Sequence, residues 1–154
     1  MRTLLAGLVA LTACTEADSA LDGAADLNGE EEKADGAQGI EVSGRLRPGS
    51  VDVALSTATP RPGYVIYAGE GSKIALEVQR TGSTAGLDTM MKVYGPRLSD
   101  GSYPKTVASD DDSGYGKLSK ISGLEVAIPG FYLVEVASNA PVASASARLK
   151  LSCT

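Results

Sequence analysis

The chain of 154 residues contains no histidine and only two cysteines. Without imidazole, Ser-His-Asp and Cys-His catalysis and histidine-built metal sites are excluded. Cys14 and Cys153 stand at opposite ends of the chain, a placement that puts a zinc site or a disulfide framework out of reach. Beyond the N-terminus there is no long hydrophobic run, and no apolar spacing of three or four residues announces a helix. The formal net charge of −5 is unevenly placed: residues 15–39 carry eight acids against Lys33, whereas residues 40–154 carry twelve bases against eleven acids. The acidity belongs to one segment. The remainder is close to neutral and has no basic stripe interleaved with aromatics, which argues against nucleic acid as a partner.

What is present begins with "MRTLLAGLVALTAC", in which Arg2 precedes an apolar run from Leu4 to Ala13 that ends on small residues. The run is roughly half the length of a bilayer-spanning helix, so residues 1–13 read as an export signal. Residues 15 onward, "TEADSALDGAADLNGEEEKADGAQG", lack aromatics and, after Thr15, β-branched residues. Such a composition cannot bury enough apolar surface to offset its ordering entropy, and residues 14–39 are expected to form a disordered acidic linker. A flexible chain of about 25 residues reaches on the order of 28 Å, further with like-charge repulsion.

Residues 40–154 are expected to form one all-β domain, since about 115 residues suffice for a single core. In "SKIALEVQR", Ile74, Leu76 and Val78 alternate with Lys73, Ala75, Glu77 and Gln79, the period of a half-buried strand. "FYLVEVAS" sets Tyr132, Val134 and Val136 against Phe131, Leu133 and Glu135, and "SARLKLSC" sets Ala147, Leu149, Leu151 and Cys153 against Arg148, Lys150 and Ser152. Cys153 thus falls on an apolar face, where an inert free thiol is expected. Further strands are read in "EVSGRLR", "VDVALST", "YVIYAG", "TMMKVYG", "KTVASD" and "LSKISGLEVAI", separated by Gly-, Pro- and Ser-rich turns. Eight or nine short strands favour a β-sandwich.

Two resemblances refine this reading. Leu11-Thr12-Ala13-Cys14 resembles the lipobox of bacterial lipoproteins. It implies diacylation of the Cys14 thiol, cleavage just before it and acylation of the new N-terminus, several chains giving membrane attachment that one chain cannot. Thr15 is not the Asp that retains some lipoproteins at the inner membrane, so the resemblance implies a lipid anchor in the bacterial cell envelope, at the outer membrane. In the domain, "GLDTMMKVYGPRLSDG", "VASDDDSG" and "IPGFYLVEVAS" resemble the hairpin, acidic turn and closing strand of the bacterial pre-peptidase C-terminal domain family. The resemblance spans roughly residues 40–152 and implies a jelly-roll-like β-sandwich, found in that family as an accessory domain beside exported enzymes.

The acidic turn "SDDDSG" admits two readings. One is a solvated hairpin in which an Asp caps its own backbone. The other is a calcium site, as in some members of the resembled family, with Asp110, Asp111 and Asp112 completed by Asp88 or Glu41; the spacing is not that of an EF-hand. Tyr103 and Tyr115, flanking turns, are candidates for an exposed ligand-binding face, with Tyr64, Tyr67 and Tyr94 as further aromatics that equally suit strand packing. Asp111 and Asp112 as an acid–base pair are disfavoured because neighbours in a strand point to opposite faces. The sequence therefore reads as a non-catalytic, lipid-anchored envelope protein whose sandwich binds an extracellular or periplasmic protein or polysaccharide. A structural or assembly subunit docked on another envelope protein is the alternative.

Overall fold

The computed structural model describes residues 14, 37, 39–82 and 86–154. The export signal, residues 1–13, and most of the linker lie outside the described residues. The domain is built from β1 (Glu41–Arg45), β2 (Gly49–Ser56), β3 (Pro62–Ala68), β4 (Lys73–Arg80), β5 (Thr89–Tyr94), β6 (Thr106–Asp110), β7 (Lys120–Glu125), β8 (Gly130–Ser138) and β9 (Ser144–Cys153). They form a five-stranded sheet, β1-β3-β8-β5-β6, against a four-stranded sheet, β2-β9-β4-β7. The result is the expected all-β, jelly-roll-like sandwich, with no helix among the described residues. Among the described residues the one parallel pairing joins β1 to β3.

The four-stranded sheet follows its sequence pattern. Val53 and Leu55 of β2, Ile74, Leu76 and Val78 of β4, and Ala147, Leu149 and Leu151 of β9 point into the main core, while their neighbours in each strand face water. The β4–β7 pairing skips a residue between Ile74 and Leu76, and on the β7 side Gly123 supplies φ of 69° where the ladder is irregular.

The five-stranded sheet departs from simple alternation. β3 and β8 are buried along nearly their whole length, because this sheet has a core on each face. Tyr64 and Ile66 of β3, Met91 and Val93 of β5, and Tyr132, Val134 and Val136 of β8 pack inside the sandwich. On the outer face Val65, Tyr94 and Leu133 pack with Ala37, Ile40 and Tyr103 in a second core. The approach is close: a Cβ on Gly63 would lie 2.5 Å from Ile40 Cγ2. Gly95, at φ 141°, likewise lies so near that a Cβ would stand 2.7 Å from the Tyr132 ring, where only glycine combines that backbone with that space.

Glu135, which alternation sets on the same strand face as Phe131 and Leu133, is 1% exposed. The second core covers it, and its charge is met from two sides: Arg61 Nε donates to Oε1 at 2.5 Å and Tyr94 Oη donates to Oε2 at 2.6 Å. Contact with Glu135 raises the pKa of Arg61. Burial, then the carboxylate, pushes the Tyr94 hydroxyl upward too. Both groups are thereby held as donors.

Cys153 was expected as a free thiol, and the structure joins it to Cys14 across a sequence separation of 139, with Cα atoms 6.3 Å apart. Distance along the chain was a poor guide because chain ends commonly meet at a domain surface. The end of β9 is fixed by reciprocal backbone bonds between Thr154 and Lys73, and Cys153 pairs in register with Ile74.

Removing one member of a buried ion pair leaves the other charge without compensation, at a cost of roughly 3–5 kcal/mol. The Arg61 side chain is 33% exposed, so Arg61→Met is expected to cost about 3 kcal/mol, the lower end of that range. Arg61→Met with Glu135→Leu should recover part of the loss, Tyr94 still lacking its acceptor. Urea midpoints of the two variants test this.

Candidate functional site

One end of the sandwich gathers the start of β5, the β6–β7 turn and the β8–β9 loop. The buried pair Thr89 and Ser119 fixes the first two against each other. Ser119 N donates to Thr89 Oγ1 at 2.9 Å and Ser119 Oγ donates to the Thr89 carbonyl at 2.6 Å. Thr89 N donates in turn to the Lys117 carbonyl at 2.9 Å. The third element is held through Asp88, whose carbonyl accepts from Asn139 N at 3.0 Å and Ser138 Oγ at 3.1 Å.

This frame brings carboxylate oxygens of Asp88, Asp111 and Asp112 within 4.8 Å of one another. Two of the three aspartates of the turn thus join the cluster with Asp88. The expectation that Asp111 and Asp112 point apart does not hold, because β6 ends at Asp110 and the following residues form a turn. The cluster is partly compensated. Lys117 Nζ donates to Asp88 Oδ2 at 2.8 Å and Asn139 Nδ2 to Asp88 Oδ1 at 2.8 Å; the Asn139 amide also donates to Asp111 Oδ1. Lys117, then Asn139, holds the Asp88 carboxyl below its usual range. Asp88, with Asp112 and Asp111 behind it, raises the Lys117 ammonium.

Asp110 does something else. Its Oδ2 accepts from Ser113 N at 3.1 Å and Lys120 N at 2.6 Å, closing the turn and tying it to the first residue of β7. This is the backbone-capping role of a turn aspartate. Burial raises its pKa, but the bonds from Ser113 and Lys120 outweigh that and leave it lowered. Glu41 lies on β1, the edge of its sheet opposite β6. Four strand spacings, roughly 19 Å, separate those edges, so Glu41 is not brought to the cluster.

Of the two tyrosines expected at the surface, Tyr103 is fully buried in the second core. The connection between β5 and β6 folds back over the sheet, as the bonds from Arg97 N to the Phe131 carbonyl and from Gly95 N to the Lys105 carbonyl show. Tyr115 is 71% exposed, with the Arg80 guanidinium 4.9 Å from its ring centroid. Cys14, the candidate lipidation residue, is in the disulfide with Cys153.

Lys117 and Asn139 were not among the residues singled out from the sequence. Lys117 closes the acidic stretch itself and could have been paired with it on charge alone; Asn139 is 28 residues beyond Asp111. Asn139 also lines a groove of about 380 Å³ with Ser56, Thr57, Pro60 and residues 138–142. The corner therefore presents a carboxylate cluster beside a largely apolar groove. Carboxylates gathered in this way can attract a cationic group.

No family model matches the sequence, and a search of curated proteins finds no match. Comparison with solved structures supports the fold. The pre-peptidase C-terminal domain of collagenase from Bacillus anthracis superposes with a TM-score of 0.51 at 14% identity, over 81% of this chain and 100% of that one. A periplasmic inhibitor of g-type lysozyme from Aeromonas hydrophila, PliG, gives a TM-score of 0.48 at 14% identity, over 75% of this chain and 97% of that one. At these identities the likeness establishes a fold like that of the collagenase domain.

Asp110→Ala removes a charged acceptor from two backbone donors and is expected to destabilise the domain by roughly 1.5–3 kcal/mol. Because the folded pKa of Asp110 is depressed, its contribution is complete above the unfolded value near 4 and is lost as pH falls through the folded value. The stability gap between wild type and Asp110→Ala, measured by urea titration, should be constant from pH 7 to about 5 and shrink below about 4.

Proposed function

We propose that this chain is a non-catalytic bacterial envelope protein, lipid-anchored through Cys14 at the outer membrane, whose sandwich binds an extracellular or periplasmic protein or polysaccharide. The observation that carries the binding reading is the corner where Asp88, Asp111 and Asp112 converge next to the groove at Asn139. The anchor rests on the lipobox resemblance. It applies to chains in which the Cys14 sulfur carries a thioether, since one sulfur cannot hold that bond and the disulfide together.

Affinity pull-down from detergent-solubilised envelopes tests the binding reading. A partner retained by wild type and lost with the double variant Asp111→Asn, Asp112→Asn supports it. A stoichiometric partner that survives washing and ignores that variant argues for the docked-subunit alternative.

A calcium ion at the corner is the second reading, favoured by the mutual approach of three carboxylates. Their oxygens are the hard ligands the ion takes, and waters would complete a shell of six to eight. The ion would neutralise the cluster and link the β6–β7 turn to Asp88. It would also have to displace the Lys117 ammonium from Asp88. Calcium is therefore expected to raise the thermal midpoint beyond an equal ionic strength of magnesium, and Lys117→Met to enlarge that difference. Equal midpoints in both ions, with and without Lys117, would exclude the calcium site and leave a polar corner compensated by Lys117.

A further inference from the structure

The pairing of Cys14 with Cys153 has a chemical consequence for a residue that also lies in a lipobox-like sequence. The structure brings the Cα atoms of Cys14 and Cys153 to 6.3 Å, within the range a disulfide spans. Cys153 does not wander: it is in ladder register with Ile74, and Thr154 and Lys73 exchange backbone bonds just beyond it. Its side chain is half-buried against the main core, so its sulfur waits at a fixed place at the end of β9. The described part of the chain has no free cysteine.

We propose that Cys153 competes with acylation for the sulfur of Cys14, so that each chain is either thioether-linked with a free Cys153 thiol or closed by the Cys14–Cys153 disulfide. The inference rests on the lipid-anchor reading above. In acylation, Cys14 Sγ forms a bond to the glyceryl carbon of a diacylglyceryl donor; the donor's leaving group departs with the electron pair of the broken carbon–oxygen bond, and the thiol proton goes to solvent. In closure, the Cys14 and Cys153 thiols form one sulfur–sulfur bond and pass two electrons and two protons to a low-molecular-weight or protein disulfide, which leaves as two thiols. Both reactions need the Cys14 thiolate and each removes it from the other. The redox state of the compartment at the moment of export thus sets how much of the protein becomes anchored, and an anchored chain carries an odd thiol at the end of β9.

The test uses the full chain expressed in a bacterial host that exports and acylates lipoproteins. Whole cells are quenched with iodoacetamide, the protein is digested without reductant, and the state of Cys14 and Cys153 is read by mass spectrometry for wild type, Cys153→Ser and Cys153→Val. The expected wild-type result is two populations: Cys14 acylated with Cys153 alkylated, and a cross-linked peptide joining Cys14 to Cys153. Both variants should lose the second population and gain acylated Cys14 in its place. Dithiothreitol in the medium should shift wild type the same way without any change of sequence. If wild type holds no cross-linked peptide and its acylated share equals that of the variants, the competition is overturned and the anchor stands. If Cys14 carries no lipid in wild type or in either variant, the anchor reading fails, and the competition with it.

Discussion

Strand β8 is covered on both faces, and much of the molecule follows from that. A central strand with a core on each side cannot use the usual division into an apolar and a wet row, so Leu133 and Glu135 are buried on one face just as Tyr132, Val134 and Val136 are on the other. For the outer face to be dry, other segments must lie across it. The residues before β1 and the β5–β6 connection do this through Ala37, Ile40 and Tyr103. Glu135 then has no water to solvate it, and Arg61 and Tyr94 take water's place. An isolated buried carboxylate is costly enough that it would otherwise be neutralised or excluded.

The strands were legible because alternation is a strong signal wherever one face is wet. β4 and β9 match the sequence reading residue for residue, as Ile74, Leu76, Val78, Ala147, Leu149 and Leu151 all face the core. The same rule set Glu135 with Phe131 and Leu133 on one face of β8 without saying whether that face is wet, since period two cannot tell a wet face from one that another segment covers. Tyr103 failed for a related reason: flanking turns suggest exposure, but the whole connection lies back on the sheet. The disulfide was invisible because it depends on where the two chain ends meet in space, which neither cysteine's neighbours encode.

Within the acidic turn, three like residues have different duties because the backbone changes character between them. Asp110 is the last residue of β6, and its carboxylate is consumed by two backbone donors. Asp111 and Asp112 lie in the turn, exposed, and contribute to the cluster with Asp88. Sequence reasoning found the cluster's members and could not divide them, since the division follows from which oxygen meets which N–H. It also missed that the cluster carries its own cation. Lys117 reduces the repulsion among the acids at the corner, where exposed charges are screened by salt over about 8–10 Å. A ligand that binds here must therefore offer more than charge, and the groove beside Asn139 is where apolar contact can be added.

The position of this corner relative to Cys14 decides how an attached domain would face its surroundings. β9 runs from Ser144, just after the groove-lining loop, to Cys153 at the other end of the sandwich. Ten residues of strand at about 3.3 Å each place those ends roughly 30 Å apart. The cluster shares the groove's end, because Asn139 lines the groove and donates to both Asp88 and Asp111. Cys14, paired with Cys153, sits at the far end. A chain closed by the disulfide thus holds Cys14 and its carboxylate corner at opposite poles. Under the proposed competition, either covalent state of Cys14 leaves the corner built by the same hydrogen bonds among Thr89, Ser119, Asp88 and Asn139.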